Sequence, residues 1–244
     1  MPEAPRRAAG EERSLPDSRV DYVMHLTPAR PVESAALAEA WKALERRFAG
    51  RVLLAGSDAD GWRRVDTASA GEWRSLQAAL QLVSRDGVTA EADLLDFRAQ
   101  IEALAAKAGA ASAAPEMRQA LEGARELDRV CADADIQVAL HVVGIDGSDL
   151  EPSPGQPFGC VPRADGVTLS IDVGRTAEPG RAFEAMSRAA AHLAAGGGRI
   201  VDDNGRALDE RALSSIAAQV EAVRQTLAAH GIEAGSPLAL RVFS

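Results

Sequence analysis

The sequence predicts an α+β fold: two similar runs of strands and helices, each forming an antiparallel or mixed sheet with helices covering one face. Three observations carry this. The strand candidates alternate apolar and polar residues instead of reading as continuous apolar runs, the pattern of a sheet with one buried face. Amphipathic helical stripes lie between them at three- and four-residue spacing. The connections differ too much in length for a regular strand–helix–strand alternation.

Residues 1–18, rich in Pro, Ala and charge, read as a flexible leader. Residues 20–26 (VDYVMHL) alternate as a half-buried strand, and 31–48 place Leu37, Trp41, Leu44 and Phe48 on one helical stripe. Short strands are expected over 51–58 and 62–66 around a turn at Asp60-Gly61. In 75–84, Leu76, Ala78, Leu80 and Leu82 share one face while Gln77, Ala79, Gln81 and Val83 share the other, so one face should be covered and one wet. A helix from about Glu91 to Lys107 presents Leu94, Phe97, Ile101 and Leu104, with Gly109 placed to end it. The next helix starts at Pro115, acceptable in a first turn, and carries Met117, Ala120, Ala124, Leu127 and Cys131.

After Asp135 the series begins again. Residues 136–144 and 166–174 read as strands, the second with Val167, Leu169, Ile171 and Val173 inward and Thr168, Ser170 and Asp172 outward. A helix with Phe183, Met186, Ala190 and Leu193 ends in three glycines, 196–198, which read as its C-cap. Then come a short strand ending in Asp202-Asp203, a turn at Asn204-Gly205, and a last helix with Asp209 as its cap and Leu213, Ile216, Val220, Val223 and Leu227 as its stripe. Gly231 closes that helix. The tail 238–243 (LALRVF) reads as an apolar strand that needs a partner or a cover, which would suit a homodimer.

The two series are in register. Phe183, Met186, Ala190 and Leu193 each follow Leu94, Phe97, Ile101 and Leu104 by 89 positions (183 − 94), and the last stripe follows that of 117–131 by 96 (213 − 117). His25 and His141 sit alike in VMHL and ALHV. Duplication follows, with halves at 19–133 and 134–244. The second half is shorter by roughly a helix and a short strand, and a Pro-rich loop over 148–166 stands in their place.

A formal charge of -9 argues against a nucleic-acid partner, which is bound through clustered Lys and Arg. Cys131 and Cys160 form neither a disulfide framework nor a CxxC pair, which suits a reducing, cytoplasmic setting. No apolar run approaches the length of a membrane span, about 18 residues. His25, His141, His192 and His230 fall in no metal-ligand spacing, and neither a nucleophile elbow nor a phosphate loop is present. No metal, cofactor or small-molecule substrate is expected. Asp202 and Asp203 could hold a cation or supply acid/base chemistry, but their place at a strand exit before Asn-Gly favours a structural turn.

The stretch GVTLSIDV, followed by FEAMSRAAAHLAAGGGRIVDDNGRALDERALSSIAAQVEAVR, resembles the C-terminal, FtsZ-binding domain of the cell-division protein ZipA. The shared order is a Gly-Val-Thr strand, a helix, Gly-Gly, a strand ending in Asp-Asp, and a closing helix. IQVALHVVGIDGSDL looks like that domain's first strand and loop. The resemblance runs from about 136 to 230, with 19–133 as a diverged second copy. It implies a non-enzymatic bacterial adaptor in septum formation, whose open sheet face receives the FtsZ C-terminal peptide; the family's N-terminal membrane anchor and linker do not appear in this sequence, so the expected place is the cytoplasm, or the inner membrane at the septum if an anchor stands upstream. The family's docking positions correspond to Gln137, Ala139, His141, Thr168, Ser170 and Asp172, which are small or polar where the family carries large apolar residues. In the first half Val23, His25, Ala79, Gln81 and Val83 offer an alternative, more apolar face. A soluble module that binds a small ligand is the competing expectation, on the strength of the polar Thr168, Ser170 and Asp172.

Overall fold

The computed structural model describes residues 15–65, 70–147 and 155–244. It has the α+β class the sequence predicts, with six helices and only antiparallel strand pairings among the described residues. The chain divides into two compact units, Met1–Arg129 and Val130–Ser244. Of the expected leader, residues 1–14 lie outside the described residues, and Asp17 opens a turn in which its carbonyl accepts from the N–H groups of Val20 and Asp21.

The first unit contains β1 (Asp21–Pro28), a two-residue β2 (Val32–Glu33), α1 (Ser34–Arg47), β3 (Val52–Asp58), β4 (Gly61–Arg64), β5 (Glu72–Trp73), β6 (Ser75–Gln81), β7 (Val83–Ser84), β8 (Gly87–Val88), α2 (Glu91–Lys107) and β9 (Ala110–Ala113). Helix α3 (Met117–Ala134) follows and extends past the end of the unit. Five strands form one sheet in the order β4-β3-β6-β1-β9. Alternation aims Tyr22, Met24 and Leu26 of β1 and Leu76, Ala78 and Leu80 of β6 at one face, where each pair meets across the strands. Leu37, Trp41 and Leu44 of α1 and Leu94, Phe97 and Ile101 of α2 are buried with them. Phe48 meets Phe97 edge to face with ring centres 5.7 Å apart, a favoured aromatic geometry.

Trp73 fixes the outer end of this sheet. Its indole N–H donates to Ser34 Oγ at 2.9 Å, and the Arg63 guanidinium lies 4.9 Å from its ring centre. Gly56 and Gly71 make room for the ring, because a Cβ would fall 2.3 Å from a ring carbon at the first and 2.8 Å at the second.

Three expectations for this unit need correction. The face of 75–84 expected to be wet is not: Ala79, Gln81 and Val83 are buried. Val23, Ala79 and Leu53 stand side by side across three strands and form a second, smaller apolar cluster, so alternation here separates two buried faces. Residues 110–113 form β9 against β1, where only loop was expected between two helices; Ala-Ala-Ser-Ala lacks the β-branched and aromatic residues that signal a strand, and tertiary pairing decides. In α3 the buried stripe uses Leu121 rather than Ala120.

The second unit contains β10 (Gln137–Val143), β11 (Gly159–Arg163), β12 (Gly166–Asp172), α4 (Pro179–Ala194), β13 (Arg199–Val201), α5 (Glu210–Ala229) and α6 (Pro237–Val242). Its sheet runs β11-β12-β10-β13. Leu140 and Val142 of β10 and Val167, Leu169 and Ile171 of β12 pack against Phe183 and Met186 of α4 and Val220 of α5. This core lies entirely on one side of the sheet. Helix α5 is capped as expected, Asp209 Oδ1 accepting the Ala212 N–H at 2.8 Å, and the Gly197 backbone turns left-handed (φ 106°) behind α4.

Two segments differ from expectation. β11 lies inside the Pro-rich stretch read as loop, paired to β12 through a tight turn at Ala164-Asp165. The tail forms a helix instead of a strand: Ser236 Oγ accepts the Ala239 N–H at 3.1 Å and Pro237 stands in the first turn, so capping chemistry overrides the apolar run. Ala239, Val242 and Phe243 are buried, which removes the exposed apolar edge that suggested a homodimer.

Candidate functional site: the outer face of the second sheet

Register defines this face. Pairing sets Val161, Thr168, His141 and Val201 in one row, Gly159, Ser170 and Ala139 in the next, and Asp172 beside Gln137 in the third. A fourth row holds Arg163, Gly166, Val143 and Arg199. All six docking positions named from the sequence, Gln137, Ala139, His141, Thr168, Ser170 and Asp172, therefore share one surface, opposite the helices. Gln137 is exposed and the other five are half-buried.

The sequence reading missed three apolar members of the surface. Val143 is half-buried, Val161 is 58% exposed, and Val201 is buried. Val161 belongs to the unexpected strand. Alternation from His141 would have placed Val143 here, and Val201 required the β10–β13 register.

A polar chain crosses the middle of the face. His141 Nδ1 lies 2.9 Å from Thr168 Oγ1, and His141 Nε2 lies 2.8 Å from Asp203 Oδ1. Hydroxyl, imidazole and carboxylate in this order resemble a nucleophile, a base and its orienting group. However, Thr168 lies on a strand flanked on both sides, where backbone N–H groups are used in ladders and are not free to stabilise an oxyanion. The arrangement acts as a cross-strand lock that ties the turn after β13 to the sheet.

The paired aspartates separate in role. Asp202 builds the turn: its Oδ1 accepts from the N–H groups of Asn204 and Arg206, each at 2.9 Å, and its backbone N–H donates to the Arg206 carbonyl. Asp203 leaves the turn to reach His141. Neither cysteine is poised as a nucleophile, since Cys131 is buried and burial pushes the Cys160 thiol up.

The alternative face in the first unit is not a surface of the same kind. Val23, Ala79, Gln81 and Val83 are buried, with the Gln81 amide donating to the Val83 carbonyl at 2.8 Å, and only His25 is exposed. No described helix is long and apolar enough to cross a membrane. In comparison with known proteins, no family model, no curated protein and no solved structure matches this chain.

Proposed function

We propose that the chain is a non-enzymatic, ZipA-like adaptor of bacterial cell division, which binds the C-terminal peptide of FtsZ on the outer face of the second sheet and helps organise the division ring at the septum. The observation that carries this reading is a four-stranded antiparallel sheet whose core is sealed by helices on one side, while the other side carries exposed and half-buried residues, among them Gln137, Ala139, Val143 and Val161. Its floor is shallow, built from Ala139, Val143 and Val161, so affinity would come from a few apolar peptide anchors rather than from a deep groove. The strand orders support the duplication that the resemblance implies. β3-β6-β1-β9 and β11-β12-β10-β13 correspond strand for strand, with His25 opposite Gln77 and Ala113, and His141 opposite Thr168 and Val201.

The test is fluorescence anisotropy of an FtsZ C-terminal peptide with the full chain and with Ala139→Glu and Val161→Glu. Each substitution puts an unpaired charge under the peptide and should weaken binding at least about tenfold. A folded wild-type chain that binds neither the peptide nor intact FtsZ would sink the reading.

A second reading, a small-ligand or regulatory module without FtsZ binding, is favoured by the polar groups at the Asp172 end of the same face, which border a cleft. Metabolites that raise the melting temperature of the folded chain would support it, because ligand binding stabilises by mass action.

A further inference from the structure

The fourth row of the outer face is set apart by its charge. Arg163 stands on one border strand, β11, and Arg199 on the other, β13, with Gly166 and Val143 between them. Both arginines are exposed, and alternation aims them at the same side of the sheet as His141 and Thr168. Arg199 pairs with no carboxylate among the described residues. Arg163 Nε lies 3.6 Å from Asp165 Oδ1, outside hydrogen-bond range, and so exposed a contact contributes little. In the neighbouring row the Asp203 carboxylate is already taken up by His141, at 2.8 Å.

The spacing of the two arginines matches an extended chain. Three inter-strand steps separate them, about 14 Å in all. An extended segment advances about 3.3 Å per residue and turns alternate side chains to one side, so those at i, i+2 and i+4 face the sheet and the outer two stand about 13 Å apart. Laid across the strands, such a segment puts one side chain on each arginine and the middle one over Val143. There Val143 and Val201, with Gly144, Gly197 and Gly205, line an open hollow of about 410 Å³, roomy enough for an aliphatic side chain. Nothing rises between Arg163 and Val143, because residue 166 is held to glycine: a Cβ there would fall 1.8 Å from the Val142 carbonyl oxygen.

Charge selects the partner. Each guanidinium fork can take a carboxylate through two parallel N–H bonds, and a basic segment would be repelled at both ends. Two cations around an apolar hollow, on a chain of net charge -9, are too few for a nucleic-acid backbone. We propose that this row docks an extended acidic segment of a partner protein, with acidic residues at i and i+4 on Arg163 and Arg199 and an aliphatic residue at i+2 over Val143. The inference rests on the reading of the outer face as a peptide-docking surface and adds the chemistry that the peptide must carry.

The test is fluorescence anisotropy of the full chain with short, labelled, serine-rich peptides that carry a central leucine and a glutamate two positions to either side. A second peptide has glutamine for both glutamates, and a third has one glutamate moved by one position, so that it faces away. The glutamine peptide should bind at least about fivefold more weakly than the first, and the shifted one about two- to fivefold more weakly. Arg163→Gln and Arg199→Gln should each weaken the first peptide about two- to fivefold, reduce the dependence of its affinity on salt and leave the glutamine peptide unchanged. Both side chains are exposed, so the fold should survive, which circular dichroism checks. Arg199→Glu should be rescued by a peptide with lysine for one glutamate. Equal binding of the glutamate and glutamine peptides overturns the proposal. So does a dimer in sedimentation velocity that Arg199→Glu dissociates, since a second copy then occupies the row. The FtsZ C-terminal peptide, measured alongside, separates this inference from the reading beneath it. If it binds and neither arginine variant weakens any peptide, the adaptor reading stands and the inference falls. If only the acidic peptides bind, and do so through the arginines, the inference stands and FtsZ is not the partner. If no peptide binds, both fall.

Discussion

Trp73→Phe tests the packing at the end of the first sheet. The indole is buried, held by Ser34 Oγ at 2.9 Å and enclosed by Gly56 and Gly71. A phenyl ring removes the N–H and strands a buried hydroxyl, at about 1–3 kcal/mol. The lost ring volume leaves a cavity worth about 1 kcal/mol more. Together these give about 2–4 kcal/mol. Ser34→Ala removes the hydroxyl along with the bond and should cost less, about 1 kcal/mol. Gly56→Ala forces the ring to move and should cost about 1–3 kcal/mol through overpacking. The assay is equilibrium urea unfolding followed by tryptophan fluorescence. Trp41, Trp62 and Trp73 all lie in the first unit, so fluorescence reads that unit alone, even if the second unfolds separately. If Trp73→Phe and Gly56→Ala both leave the transition in place, the described enclosure of the indole is wrong.

Phe183→Ala should destabilise the second unit by about 3–5 kcal/mol, seen in far-UV circular dichroism without a matching shift in fluorescence, because Phe183 is buried under the sheet. Asp202→Ala should cost about 1–2 kcal/mol by freeing the N–H groups of Asn204 and Arg206, whereas Asp203→Ala, at an exposed residue, should cost under about 1 kcal/mol; chemical denaturation of the two variants separates structural turn from surface contact. The Arg224 guanidinium, hydrogen-bonded to Glu221, holds its carboxyl down to about 2. A pKa lower in the folded than in the unfolded chain means that this contact stabilises the fold above the ordinary glutamate range and stops doing so as pH falls toward 2. Carbon-detected NMR titration should show the Glu221 pKa raised toward the ordinary range in Arg224→Ala, with the Gln225 amide, which donates to Glu221 Oε1 at 2.9 Å, still holding it below that range.

Periodicity made the long elements legible. The stripe Leu94, Phe97, Ile101, Leu104 and the alternation of 166–173 specify their elements because each side chain has one place to go. Short elements were not legible: β9 is made of Ala and Ser, and β11 carries Gly and Pro, so both exist through their partners rather than their own preferences. The tail shows a conflict of signals, in which Ser236 and Pro237 outweigh an apolar run. At the candidate site, alternation brought six outward residues together, while the His141–Asp203 contact joins positions 62 apart in sequence and needed the fold. The second face of β6 was misread because alternation reports two different environments without saying that one of them is water.

Pro162 lies in β11, the outermost strand of the second sheet. Counting from the turn at Ala164-Asp165 directs its nitrogen away from β12, toward the side where a further strand would have to pair, and that nitrogen carries no hydrogen. A strand arriving there finds a gap in the row of donors. On the opposite border, Val201 of β13 already bridges to Ala207. Among the described residues both borders are therefore poor templates for a further strand, which disfavours pairing with β-rich segments of other chains at the sides of the sheet.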